Sequence, residues 1–455
     1  MRTPNSLHCF GAFASLAACV PHTALGAQQV DTFTALAALR EAASACTADA
    51  GGLWGRPLCG PIALVDREGR LVIANDTVAG HHFLRLADAY ITTLPASIYL
   101  ANTSVEWGSH RWTLLMLPLP TDQYSRIALV MHEVFHREQA ALGLAQPDAL
   151  NNQLDQRQGR TWLRLEYRAL AHALDALPND TKSRYHIASA LLFRAERRSI
   201  YPGSDSLENT LEIQEGLAEY TGERLAMSAT GQGLSRVAQH VRAFEEHTPT
   251  FVRAFAYGTG PAIGVLLDHF QPTWRRNVLT HRDIGALLAQ AVRFKVPRNV
   301  STVARTRASE YGFADIDREE AARDSARAPA MRGYRARLVN GPTITLHQSR
   351  DSLSWTYDPT ALVGYDLHST IYPSGQFEAP WGKLVVDSGG VLVQNDFRWI
   401  RIGPVPDSLT PAAHNAGNIR RSGWMLTLNA GWTLAADPEK PGSYMVVLDR
   451  PKLRH

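Results

Sequence analysis

A chain of 455 residues, 45% of them apolar and 20% charged, is long enough to bury two or three sizeable cores and too apolar to be disordered. Its 46 Lys and Arg against 43 Asp and Glu leave a formal charge of +3. No basic run is interleaved with aromatics, which argues against nucleic acid as a partner.

In chain order, residues 1–27 read as an export signal. Arg2 gives a positive start, "CFGAFASLAACV" a short apolar stretch and "ALGA" a small-residue end before Gln28, so a secreted or periplasmic protein is expected. Within this segment Leu16-Ala17-Ala18-Cys19 resembles the lipobox of bacterial lipoproteins, which makes a lipid anchor at Cys19 the alternative to simple cleavage near Gly26 or Ala27. Nothing else reaches the roughly 18 apolar residues needed to span a bilayer. The two remaining cysteines, Cys46 and Cys59, are expected to pair in an oxidising compartment, with two free buried thiols as the alternative.

A helix over "TFTALAALREAASAC" opens a β-rich lobe assigned to residues 28–120. Apolar runs from Ile62 to Val65 and from Leu71 to Ala74 flank a turn at Gly69, a hairpin pattern, and "SIYLANTSVEWGSHRWTLLMLPLP" supplies at least one more strand ending at Pro118 and Pro120. Residues 121–330 show helical periodicity: Tyr124 to Leu142, Thr161 to Leu177, Arg184 to Arg198, Leu207 to Ala226, Leu234 to Glu245, Pro261 to His269 and a charged last helix over "DIDREEAARDSARAPAMRG". Strand patterns return over 334–455 in "PTITLH", "LSWTYD", "GKLVVD", "GGVLVQ", "GWMLTL" and "SYMVVLD". The expected class is α+β, with a C-terminal all-β domain.

The chemistry is carried by "IALVMHEVFHREQ". On a helix His132 and His136 lie one turn apart on one face and can present imidazole nitrogens to a single ion, with Glu133 beside them. This is the known H-E-x-x-H pattern of zinc sites, in which the glutamate serves as a base. Ile127, Met131, Val134 and Phe135 form the adjoining apolar stripe. Two surface histidines with a solvated glutamate are the bland alternative. A hydrolytic zinc site needs a third protein ligand, and "EIQEGLAEY" offers Glu215. Periodicity places Glu212, Glu215 and Glu219 opposite the stripe of Ile213, Leu217 and Tyr220, which by itself describes an ordinary solvated acidic face. Gly216 costs roughly 1 kcal/mol inside a helix relative to Ala, which is explained if another helix, here expected to be the histidine helix, approaches closely. On this reading loss of Glu219 should matter much less than loss of Glu215. Glu166 in "RTWLRLEYRAL" is a rival ligand.

These two motifs resemble those of the gluzincin metallopeptidases, whose H-E-x-x-H helix is completed by a glutamate on a later helix, often within Asn-Glu-Gly-x-Ala-x-Tyr. Here "QEGLAEY" carries Gln214 in place of Asn, and 78 residues separate His136 from Glu215, which requires extra helices between them. No Gly-x-Met-x-Asn segment is present, so aminopeptidase activity is not expected. The resemblance implies a zincin-like catalytic domain, one Zn2+ per chain on His132, His136 and Glu215, Glu133 as general base, and a peptide or protein substrate that adds to the β-lobe edge near "NTSVEWGSHRW". Tyr257, in "FAYGTGPAIGVLLD", is the candidate oxyanion donor at the mouth of a helix expected to open at the Gly258 to Pro261 turn. A secreted binding protein retaining a zinc site and a zinc hydrolase of non-peptide substrates are the rival functions.

Overall fold

The computed structural model describes residues 31–147, 149–406 and 418–449. The expected export signal and Cys19 lie outside them. The architecture is mixed α+β, a helical region followed by a β region. Helix α1 (Thr32–Asp49) leads into strands β1 (Ile62–Val65), β2 (Leu71–Ala74), β3 (Leu84–Leu86), β4 (Ala89–Thr93), β5 (Thr103–Trp107) and β6 (His110–Met116). These form one sheet in the order β3-β4-β2-β1-β6-β5, with β1 parallel to β6 and the other pairs antiparallel. Strand alternation divides its continuous apolar runs between two cores. Leu64, Ile73 and Leu115 pack towards the helices, while Ala63, Val65, Val72 and Leu114 join Trp107 and Trp112 on the opposite face.

The helices are α2 (Gln123–Gln139), α3 (Arg157–Asp175), α4 (Asp180–Ile200), α5 (Ser204–Leu211), α6 (Leu217–Thr230), α7 (Leu234–His247), α8 (Ala256–Phe270), α9 (Trp274–His281), α10 (Ile284–Val292), α11 (Val300–Ala308) and α12 (Phe313–Arg335). Helices α3, α4 and α5 occupy the long interval between His136 and Glu215. Helix α12 and a following turn to Asn340 run past the boundary expected at residue 330.

The β region holds β7 (Ile344–His347), β8 (Ser354–Thr356), β9 (Val363–Gly364), β10 (Ser369–Tyr372), β11 (Gly375–Ala379), β12 (Gly382–Val386), β13 (Val391–Gln394), β14 (Trp399–Ile402), β15 (Asn418–Arg421), β16 (Trp424–Leu428), β17 (Trp432–Ala436) and β18 (Tyr444–Leu448). A seven-stranded sheet and a five-stranded sheet share one core that includes Leu346, Ile400, Phe377, Leu384 and Trp424. A short turn, Asn152–Asp155, joins the regions. The Asn152 amide donates to the carbonyls of Asp366 and Ser369, and the Asp155 carboxylate accepts from Gly364 N–H, Arg323 and Arg327. Among the described residues no helix is long and apolar enough to cross a membrane.

Candidate metal centre

Helix α2 starts at Asp122, whose carboxylate caps the Ser125 N–H. It is held from two sides. Glycine at 222 lets α6 lie against it, because a Cβ there would stand 2.3 Å from the Ala128 carbonyl oxygen. Behind it, Cys46 and Cys59 form the expected disulfide with Cα atoms 5.5 Å apart. The loop they enclose sets Trp54 against Phe135, with ring centroids 5.1 Å apart. Arg137, next to His136, donates to the carbonyl oxygens of Leu58 and Pro61 and to Thr113 Oγ1. With its back fixed, the helix presents both histidines inward, buried, with Nε2 atoms 3.0 Å apart.

Glu215 lies on a π-helical turn, Glu212–Gly216, that joins α5 to α6. One-turn π insertions of this kind recur at functional sites. The close neighbour at Gly216 is α8 rather than the histidine helix: a Cβ on Gly216 would meet Gly260 Cα at 3.1 Å, and one on Gly260 would meet Gly216 Cα at 2.3 Å. The acidic face is not solvated either. Glu212, Glu215 and Glu219 are all buried, because α2, α4 and α8 surround this segment.

Glu215 Oε2 is 3.3 Å from His136 Nε2 and 3.7 Å from His132 Nε2. Ligand bonds of about 2.0–2.1 Å in a tetrahedral site separate ligand atoms by roughly 3.3 Å, so the three atoms fit one shared ion. The surroundings agree. His132 Nδ1 faces Glu219 Oε2 at 2.8 Å and His136 Nδ1 faces Gln139 Oε1 at 2.9 Å. Both oxygens are acceptors when the Gln139 amide nitrogen donates, as it does, to the carbonyls of Ile213 and Gln214. Protons are thereby assigned to Nδ1, and the Nε2 lone pairs point at the shared space. Two imidazoles and one carboxylate are a zinc-type donor set. His132, His136 and Glu215 could therefore hold a metal ion.

The electrostatics favour positive charge in this space. Burial opposes a charged His132, yet bonds to Glu215 and Glu219 raise its pKa to about 10, so without an ion its Nε2 also carries a proton, which a bound cation would replace. Burial also opposes a charged Glu215, but Arg253 and His136 hold its carboxyl well below the usual range. Glu133 is 2% exposed, its pKa is raised by burial, and among the described residues its Oε2 has no hydrogen-bond partner.

Tyr257 sits in the first turn of α8, since the helix begins at Ala256 and runs through the Gly258 to Pro261 stretch expected to precede it. Its hydroxyl donates to Glu215 Oε2 at 2.6 Å, and its ring stacks on His132 with centroids 5.6 Å apart. Glu166 is not in the cluster: its two oxygens accept from Arg194 and Arg197. Three residues that sequence reasoning did not assign also serve the cluster. Arg253 donates to Glu215 Oε1 at 3.3 Å, Gln139 ties α2 to the π turn, and Glu219 holds His132, so it is no dispensable surface carboxylate. Comparison with protein families, curated proteins and solved structures finds no match to this chain.

Proposed function

We propose that this chain is an exported zinc metallopeptidase of the gluzincin type, with a zincin-like arrangement of a β lobe and a helical lobe around the centre. The observation that carries the reading is Glu133. It is a buried carboxylate with an unpartnered oxygen, directly beside a three-residue ligand set, and a site that only stabilised the fold would have no use for it. The Cys46–Cys59 disulfide is compatible with an extracellular setting.

His132, His136 and Glu215 would hold the ion. Bound zinc lowers the pKa of water towards neutrality and polarises a carbonyl group. Glu133 takes the proton of the attacking water and delivers it to the leaving amine. Arg253 keeps Glu215 Oε1, which leaves Oε2 aimed at the two imidazoles and favours a single-oxygen ligand. Tyr257 acts first as a positioning residue through Glu215; donation to an oxyanion would need that bond to be exchanged. Strand β5 is the edge of its sheet and packs against α2, which makes it the place where an extended peptide would add as a further strand.

The test is Glu133→Gln assayed on a mixed peptide library. Turnover should fall by about 10²- to 10⁴-fold while zinc content stays at that of the wild type. Equal turnover in the two proteins, or a wild type that cleaves no peptide, would sink the reading.

A further inference from the structure

We propose that Glu219, Glu223 and His240 form a second divalent-cation site, for Zn2+ or Mn2+, on the outer side of His132. Successive turns of α6 place Glu219 and Glu223 on one face, and α7 brings His240 across them. One ligand atom from each of the three lies within 4.8 Å of the others.

The outward-facing atoms of this trio are already engaged. Glu223 Oε2 accepts from the Tyr124 hydroxyl, Glu219 Oε2 is taken by His132 Nδ1, and His240 Nε2 donates to the Tyr257 carbonyl at 3.0 Å. A carbonyl can only accept, so the proton of a neutral His240 is on Nε2 and its Nδ1 is a lone pair. The inner atoms are different. The ring nitrogen with the lone pair, His240 Nδ1, stands 3.5 Å from Glu223 Oε1, and Glu219 Oε1 is 3.7 Å from the protonated Nε2, too far for a direct bond to it. A charged pair bonded directly would sit at about 2.7–2.9 Å, whereas two ligands of one ion sit at roughly 3.3 Å. Among the described residues no hydrogen bond reaches Oε1 of either glutamate. Arg236, the nearby guanidinium, is turned to Asp122 and Ser125 and lies over the Tyr124 ring. Both glutamates are buried, yet the His240 side chain is 23% exposed, which gives an ion a way in.

Carboxylate and imidazole donors suit zinc and manganese. Because Glu219 holds His132 with one oxygen and faces this site with the other, the two centres are linked through one residue. The inference does not depend on the hydrolase reading.

Metal-free protein would be titrated with Mn2+ and with Zn2+, following stoichiometry by calorimetry and, for Mn2+, by electron paramagnetic resonance. Wild type should bind two ions, His240→Ala one, His136→Ala one, and the double variant none. Glu223→Gln and His240→Gln, with folding checked by circular dichroism, should repeat the loss if His240→Ala is unstable. Wild-type stoichiometry in folded His240→Gln and Glu223→Gln would overturn the proposal. An ion lost only on changing His240, with His136→Ala unaffected, would uphold it and refute the first centre instead.

Discussion

Two of the clusters of charged side chains buried in the helical region differ in how completely each is saturated. In the first, Glu166, Glu208 and Glu212 surround Arg194 and Arg197, and all six carboxylate oxygens accept from an arginine. In the second, Nε2 of His132, Nε2 of His136 and Oε2 of Glu215 converge on one another at 3.0–3.7 Å, and among the described residues Glu133 Oε2 has no hydrogen-bond partner. A buried polar network with every partner present fixes helices to one another. One whose ligand atoms converge on a shared space could be completed by an ion. Saturation, rather than burial or charge, therefore separates scaffold from site in this chain.

The contrast would break most visibly at His136. His136→Ala should lower zinc affinity by more than the roughly 100-fold that loss of an outer partner costs, read by competition with a chromophoric chelator. Zinc at 100 times the Kd of this centre should stabilise the wild type by about 2.7 kcal/mol through it, an increment that this variant should lose. Arg197→Leu tests the saturated cluster. It strands buried carboxylates and should cost about 3–5 kcal/mol in denaturant unfolding, a loss of the same size with or without zinc.

Acid sharpens the comparison further. Burial pushes the Glu208 carboxyl up, but Arg197 and Arg198 outweigh it and bring its pKa from 4.5 to about 2. A folded-state pKa below the unfolded one means stabilisation that is fully present above about pH 4.5 and is lost as the pH falls towards about 2. The amount is on the order of 3 kcal/mol, and Glu208→Gln should flatten that part of the stability profile of the metal-free protein. The smallest expected effect is at Glu219. Glu219→Ala should weaken zinc binding at the His132–His136–Glu215 centre by about 10- to 100-fold without abolishing it there.

The parts of this site that depend on local geometry were legible in the sequence. Histidines four residues apart declare a shared helix face, and the hairpin of β1 and β2 declares itself by two apolar runs around a turn. Gly216 signalled a close crossing, but a single glycine does not say which helix crosses, and the neighbour is α8. Periodicity also misread the acidic face, because it reports the direction of side chains and not what packs against them. One clue lay in α4, whose Arg194, Arg197 and Arg198 needed buried carboxylates and take Glu166, Glu208 and Glu212. Arg253 carried no signal at all: it lies in the aperiodic turn before α8 and reaches Glu215 only because the chain returns over the π turn. Helices α9 to α11, with eight or nine residues each, were too short to show a period, β9 has only two residues, and β15 carries one buried residue among polar ones.

The disulfide loop has a consequence for how the molecule matures. Its segment from Cys46 to Cys59 supplies Trp54 against Phe135 and the Leu58 carbonyl to Arg137, so the cross-link braces the helix that carries two of the three ligands. Without that bond only non-covalent contacts hold the loop, and reduction should loosen the backing of the histidines more than that of the glutamate across from them. If the centre takes an ion, reducing the Cys46–Cys59 bond should weaken its uptake.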